Sequence, residues 1–144
     1  MAAIIHYKES TMKVLLPLLA AISLFASDIG WFYDYNEALE EAKTRQKQIL
    51  VFMNQPGCLS CEYMEENVFV DGEVEAYINA HFVPLSLSIY DEDVPAHLKA
   101  RATPVFHFLD EEGKPVHKKL IGGKTAPFFL KLLKEAYTAK PGVQ

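Results

Sequence analysis

The two cysteines of the chain are its residues best suited to chemistry, and they stand three positions apart as Cys58-Leu59-Ser60-Cys61. On the first turn of a helix this spacing brings two sulfurs within bonding reach, and the first sulfur lies among unpaired backbone N–H groups. Those donors and the helix dipole lower the pKa of such a thiol to about 3.5 to 7.5, against about 8.5 for a free cysteine. The pattern predicts a redox-active dithiol in which Cys58 attacks and Cys61, deeper in the helix, resolves the mixed disulfide.

Two other uses of a cysteine pair fit this sequence less well. A structural disulfide stabilises most when it closes a long loop, and this pair closes a very short one. A structural zinc site needs four ligands, and the chain has no second cysteine pair and no close-spaced histidine pair. The histidines near or beyond the dithiol are scattered, at His81, His97, His107 and His117. We therefore expect no metal and no organic cofactor.

The segments around the dithiol indicate an α/β domain. Ile49–Met53 is apolar at every position, which is typical of a strand buried on both faces, and it leads directly to Cys58. Further strands are predicted over residues 83–89, 105–109 and 115–121. Helices are predicted over about residues 35–46, 61–68, 74–81, 94–100 and 125–136. Asp93 is predicted to cap the fourth of them and Thr125 the last. This order predicts a central mixed sheet of four to five strands with helices on both faces.

The amino end has the pattern of a targeting segment. Lys13 supplies positive charge, Val14–Phe25 is almost wholly apolar, and small residues follow. We interpret residues 1–27 as a signal peptide, with Met12 as a candidate natural start, and residues 28–144 as one domain. The apolar run is short for a membrane span, which needs roughly 20 residues. Cleavage and export are therefore the expectation, and an uncleaved membrane tether is the alternative.

Charge is distributed unevenly along the chain. The formal net charge is −5, which argues against nucleic acid as a partner. Residues 28–93 hold fourteen acidic and three basic side chains, and residues 94–144 hold four acidic and nine basic ones. The asymmetry either steers a protein partner or reflects two solvated faces that partly neutralise each other after folding.

The element order resembles that of the thioredoxin family, on three features: the Cys58-x-x-Cys61 pair at a helix start, Thr103-Pro104 opening a later strand, and Gly122 ahead of the last helix. The resemblance covers roughly residues 35–137. It looks closest to exported single-domain thioredoxin-like proteins and to the periplasmic carboxy-terminal domain of the transmembrane reductase DsbD. It implies a cis bond before Pro104, and a substrate strand bound at Thr103, Pro104, Gly57 and Gly122.

Two departures from the family pattern concern the reactive centre. Gly57 stands where thioredoxins place an aromatic residue, which predicts a more open Cys58. Phe52 stands where they carry a buried carboxylate, so proton transfer at Cys61 needs another group. Glu65 lies four residues past Cys61 and matches a glutamate of the DsbD domain, so we expect it to take this role. The alternative is that Glu65 is an ordinary solvated surface glutamate.

The resemblance implies a periplasmic thiol–disulfide oxidoreductase that acts mainly as a reductase. The acidic residues near the dithiol oppose thiolate formation, which favours a reductant over a strong oxidant. Its partners would be protein disulfides and a membrane-borne dithiol electron donor, and we expect a monomer. The alternatives are an oxidase that introduces disulfides and a non-catalytic adaptor that keeps the fold's binding groove.

Overall fold

The computed structural model describes residues 28–139, so the predicted signal peptide lies outside the described residues. Within them the chain forms four α-helices: α1 (Tyr35–Arg45), α2 (Leu59–Tyr63), α3 (Gly72–His81) and α4 (Ala126–Thr138). It also forms four strands: β1 (Gln48–Asn54), β2 (Phe82–Ser88), β3 (Val105–Leu109) and β4 (Leu120–Ile121). A π-helix, Met64–Val68, continues α2, and a 3-10 helix, Ala96–Leu98, precedes β3. None of the helices in this range is long and apolar enough to cross a bilayer.

The sheet is mixed, with the strand order β2-β1-β3-β4. Strand β1 pairs in parallel with β2 and antiparallel with β3, and β3 pairs antiparallel with β4. A single residue, Phe32, extends the β2 edge: its N–H donates to Pro84 and its carbonyl accepts from Ser86, both at 2.8 Å. The predicted mixed sheet is confirmed, and it has four strands in the described residues.

Helices cover both faces of this sheet, as predicted. On one face, Leu50 and Phe52 of β1 join a core with α2, α3 and α4. On the other face, Ile49, Val51 and Met53 pack against α1. Because β1 is central and covered on both sides, its five middle residues are all buried, which explains its unbroken apolar run.

Three local predictions are wrong in part. The helix expected from Asp93 is only the 3-10 turn Ala96–Leu98, because Pro95 stays extended (ψ 140°) and the turn begins after it. The last strand pairs only at Leu120–Ile121, since the chain beyond an isolated bridge at Pro115 leaves the ladder before rejoining it. Thr125 precedes α4 but its side chain makes no capping hydrogen bond.

His107 is a buried histidine on the α1 side of β3, with its Nε2 lacking a partner. Burial, aided by repulsion from Lys119 and His97, lowers the pKa of His107 to about 4. In the unfolded chain the His107 imidazole is protonated below about pH 6.5, but in the folded protein it stays neutral down to about pH 4. The free energy of unfolding therefore falls as the pH drops from about 6.5 towards 4.

We expect His107 to lower the free energy of unfolding by about 2 kcal/mol when the pH is changed from 8 to 5. In His107→Phe the free energy of unfolding should change much less between pH 8 and pH 5, as measured by urea unfolding at a series of pH values. His117→Gln is the control, because His117 is only half-buried and contacts the Lys118 carbonyl. An unchanged slope in the His107 variant would contradict the assignment.

Candidate functional site

The dithiol lies at the turn between β1 and α2. Gly57 has φ 73°, a left-handed conformation that favours glycine, and it brings the chain to Cys58 at the N-cap of α2. Cys58 Sγ accepts the backbone N–H of Cys61 at 3.2 Å. The two cysteines form a disulfide with their Cα atoms 5.2 Å apart. The predicted geometry, a strand that leads to a cysteine pair on a first helical turn, is present.

Both cysteines are well covered in this oxidised form. Cys58 is 8% exposed and Cys61 is 3% exposed, so Cys61 is the deeper of the two, as predicted. Gly57 is predicted to leave Cys58 more open than an aromatic residue would, and that comparison stays a prediction; in the oxidised form Cys58 itself is covered. The Cys58 sulfur turns inward, because it bonds to Cys61 and accepts the Cys61 N–H.

A cavity of about 320 Å³ opens beside the disulfide. It is lined by residues of the β1–α2 turn, of α2 and its continuation, and of the end of β2: Asn54, Gln55, Pro56, Gly57, Cys58, Cys61, Glu62, Glu65 and Ser88. We call it the dithiol cavity. Glu65, although exposed as a residue, thus borders the same space as both sulfurs. Partial burial raises the pKa of Glu65, and repulsion from Glu62 and Glu66 adds to this.

The loop before α4 connects Pro104 and Gly122, two of the other predicted site residues, to α2. The bond between Thr103 and Pro104 is cis, and Pro104 is buried. The Pro104 carbonyl accepts the N–H of Gly122 at 2.9 Å. The next residue, Gly123, lies against α2, since a Cβ added there would stand 3.4 Å from the Ser60 carbonyl oxygen. Pro104 and Gly122 are therefore tied to the helix that carries the dithiol.

Thr103 offers backbone groups to a partner. Among the hydrogen bonds of residues 28–139, none uses its N–H or its carbonyl. Its Oγ1 is buried and also lacks a partner. An extended segment lying beside Thr103 could pair with those backbone groups as an added strand would.

A second groove, of about 390 Å³, lies on the opposite side of α2 and was not foreseen from the sequence. It is lined by Leu59, Ser60, Tyr63, Gly123, Lys124 and Thr125. Leu59, between the two cysteines, is 80% exposed. The signal for this surface was present in the sequence, because two buried cysteines on one turn force the residue after the first to face outward.

The π-helix is the other feature that the sequence did not indicate. Its wider turn is closed by the N–H of Phe69, which donates to the Met64 carbonyl at 2.8 Å. Met64, Val68 and Phe69 all reach the same core as the cysteines. The Met64 sulfur also accepts the backbone N–H of Lys124 at 3.3 Å. This bond holds the loop before α4 against the π-helix that continues α2.

No group of three or more metal-ligating side chains stands together in residues 28–139. The chemistry that this site can perform is thiol–disulfide exchange at the cysteine pair. Its disulfide accepts two electrons, and the reduced dithiol donates them.

Comparison with known proteins agrees with this architecture. The model of the thioredoxin-like domain family matches residues 35–137, so the chain belongs to that family. A thioredoxin from Thermus thermophilus superposes with a TM-score of 0.65 at 26% identity, over 75% of this chain and 86% of that one. The oxidised DsbD carboxy-terminal domain of Neisseria meningitidis gives 0.61 at 17% identity, over 74% and 98%. No curated protein sequence matches.

Family and cysteine pair together define the class of protein. The chain is a thiol–disulfide oxidoreductase of the thioredoxin-like family, with Cys58 and Cys61 at the position where the fold presents a redox disulfide. The predicted class and fold are confirmed.

Proposed function

We propose that this protein is an exported, periplasmic reductase of protein disulfides. The observation that carries the proposal is the Cys58–Cys61 disulfide at a helix N-terminus, opening onto a cavity bordered by Glu62 and Glu65. Negative charges near a thiol disfavour its thiolate, and a less stabilised thiolate makes the dithiol a better electron donor. The apolar segment Val14–Phe25 supports export.

The reaction proceeds by two exchanges. The Cys58 thiolate attacks one sulfur of a substrate disulfide, which forms a mixed disulfide and releases the other substrate sulfur as a thiolate that takes a proton. The Cys61 thiolate then attacks Cys58 Sγ, which restores the Cys58–Cys61 disulfide and releases the second substrate thiol. Two electrons pass to the substrate. A membrane-borne dithiol donor returns the protein to its reduced form by the same exchange in reverse.

The remaining site residues hold the substrate and move the proton. Thr103 pairs with an extended substrate segment through its free backbone groups, next to Pro104, whose carbonyl accepts the N–H of Gly122. Gly57 places no side chain beside Cys58, and its φ of 73° favours glycine at this position. Glu65 accepts the Cys61 proton across the dithiol cavity when Cys61 attacks.

The direction of electron flow is tested by the reduction potential. Equilibration with glutathione, followed by alkylation of free thiols, should give a value below about −200 mV, in the range of thioredoxin and the glutaredoxins. A value near about −120 mV, that of the strong oxidant DsbA, would overturn the proposal in favour of an oxidase.

Glu65→Gln tests the proton-transfer role. We expect it to slow turnover by up to about a hundredfold, because the amide cannot accept the Cys61 proton. The limb of the pH–rate profile that reports this group should disappear in the variant. Glu66→Gln is the matched control, since Glu66 is the next residue but does not line the dithiol cavity. Equal effects of the two substitutions would show that Glu65 is an ordinary surface glutamate with no role in proton transfer.

A further inference from the structure

The dithiol cavity has an uncompensated negative charge. Among the residues that the structure describes, Glu62 and Glu65 line it and no lysine or arginine does. Ser88, at the end of β2, also lines the cavity, and its N–H donates to the Asp91 carboxylate at 2.8 Å. A third carboxylate therefore lies next to a lining residue of the cavity.

Within residues 28–139, no lysine or arginine forms an ion pair with these carboxylates. The ion pairs formed within residues 28–139 are Arg45–Glu41, Lys114–Glu112 and Lys131–Glu135, and none involves Glu62, Glu65 or Asp91. Lys124 is a cation on the far side of α2, but its ammonium group donates to the carbonyls of Ile121 and Gly123, at 3.0 and 3.3 Å.

This charge bears directly on the reaction. Cys58 must be a thiolate to attack, and adjacent carboxylates disfavour that anion. A cation brought into the cavity by a substrate would offset the carboxylates and favour the thiolate. Recognition of a basic substrate would then also activate the nucleophile that acts on it.

We propose that the dithiol cavity selects protein disulfides that carry lysine or arginine within a few residues of the reactive cysteine. The inference rests on the proposed reductase function and specifies its substrate class. The basic side chain enters between Gln55 and Glu65 while the substrate backbone lies along Thr103. Long-range attraction between the acidic face and a basic substrate also raises the association rate, more so at low salt.

The test uses three synthetic peptides, each with one intramolecular disulfide and with lysine, glutamine or glutamate at the same flanking positions. Rates of reduction by the dithiol form of the protein are measured at low and high salt. We expect the lysine peptide to react at least about tenfold faster than the glutamate peptide at low salt, and the difference to shrink as salt screens the charges.

In a double variant, Glu62→Gln with Asp91→Asn, the ratio of the reduction rate of the lysine peptide to that of the glutamate peptide should fall towards one. Glu40→Gln should leave it unchanged, because Glu40 is exposed on α1, which packs on the other face of the sheet. Equal rates for the three peptides, or a preference for glutamate, would overturn the inference while leaving the reductase function in place. Failure to reduce any of the peptides would overturn the reductase function itself.

Discussion

Cys61→Ser is expected to hold substrates on the protein as stable mixed disulfides, and Cys58→Ser is expected to abolish exchange. The two results differ because Cys58 makes the first attack, whereas Cys61 only releases the product. Loss of the nucleophile should lower the rate of disulfide reduction by more than about a thousandfold. In the Cys61 variant the first exchange still occurs, but no second thiol is present to complete it.

Non-reducing electrophoresis followed by reduction identifies the trapped partners, and Cys58→Ser is the control that should trap none. The same pair of variants separates the enzyme from the adaptor alternative. Partners that bind both variants equally, without a covalent link, would show that the cysteines are not needed and would contradict the enzymatic role.

Phe129→Ala is expected to destabilise the fold by about 3 to 5 kcal/mol. Phe129 is fully buried, and its ring centroid lies 4.8 Å from that of Phe106 and 6.0 Å from that of Phe69. This aromatic core lies on the face of the sheet that also carries Cys58 and Cys61, so the cavity left behind weakens the support of the dithiol helix.

The chain offers a matched control at the preceding residue. Phe128 occupies the same helix but is 48% exposed, so Phe128→Ala should change the free energy of unfolding by less than about 1 kcal/mol. Urea unfolding of both variants measures the difference. Similar losses for the two substitutions would show that α4 does not pack as described.

The parts of the fold with strong local signals could be predicted. The run Ile49–Met53 indicated a central strand, because a strand covered on both faces carries apolar residues at every position. The helix predicted over about residues 35–46 is α1, and Asp34, which stands before it at capping-box spacing from Glu37, accepts the Glu37 N–H at 2.9 Å. The cysteine spacing, together with the apolar run that precedes it, predicted a dithiol on a first helical turn.

The features that the sequence did not reveal depend on contacts between distant segments. The bond between the Lys124 N–H and the Met64 sulfur joins residues 60 positions apart, and no local pattern encodes it. The cysteine spacing indicated the outward side of α2, but the second groove also needs Gly123, Lys124 and Thr125 to lie beside that helix, and no local pattern encodes this contact. Strand β4 is short because its pairing depends on where the chain after Pro115 rejoins β3.

The wide turn at Met64–Val68 makes the length of this segment as important as its composition. In an ordinary α-helix each residue advances the chain by about 100°, so Phe69 would point about 140° away from Met64 and off the aromatic core. Removing one residue here would leave Phe69 four positions after Met64, about 40° around an ordinary α-helix, so the segment could close as regular helix with Phe69 still on the core. A single-residue deletion should thus be tolerated more readily than a single-residue insertion, which would rotate Cys58 and Cys61 by about 100° relative to the core that they share with α3 and α4.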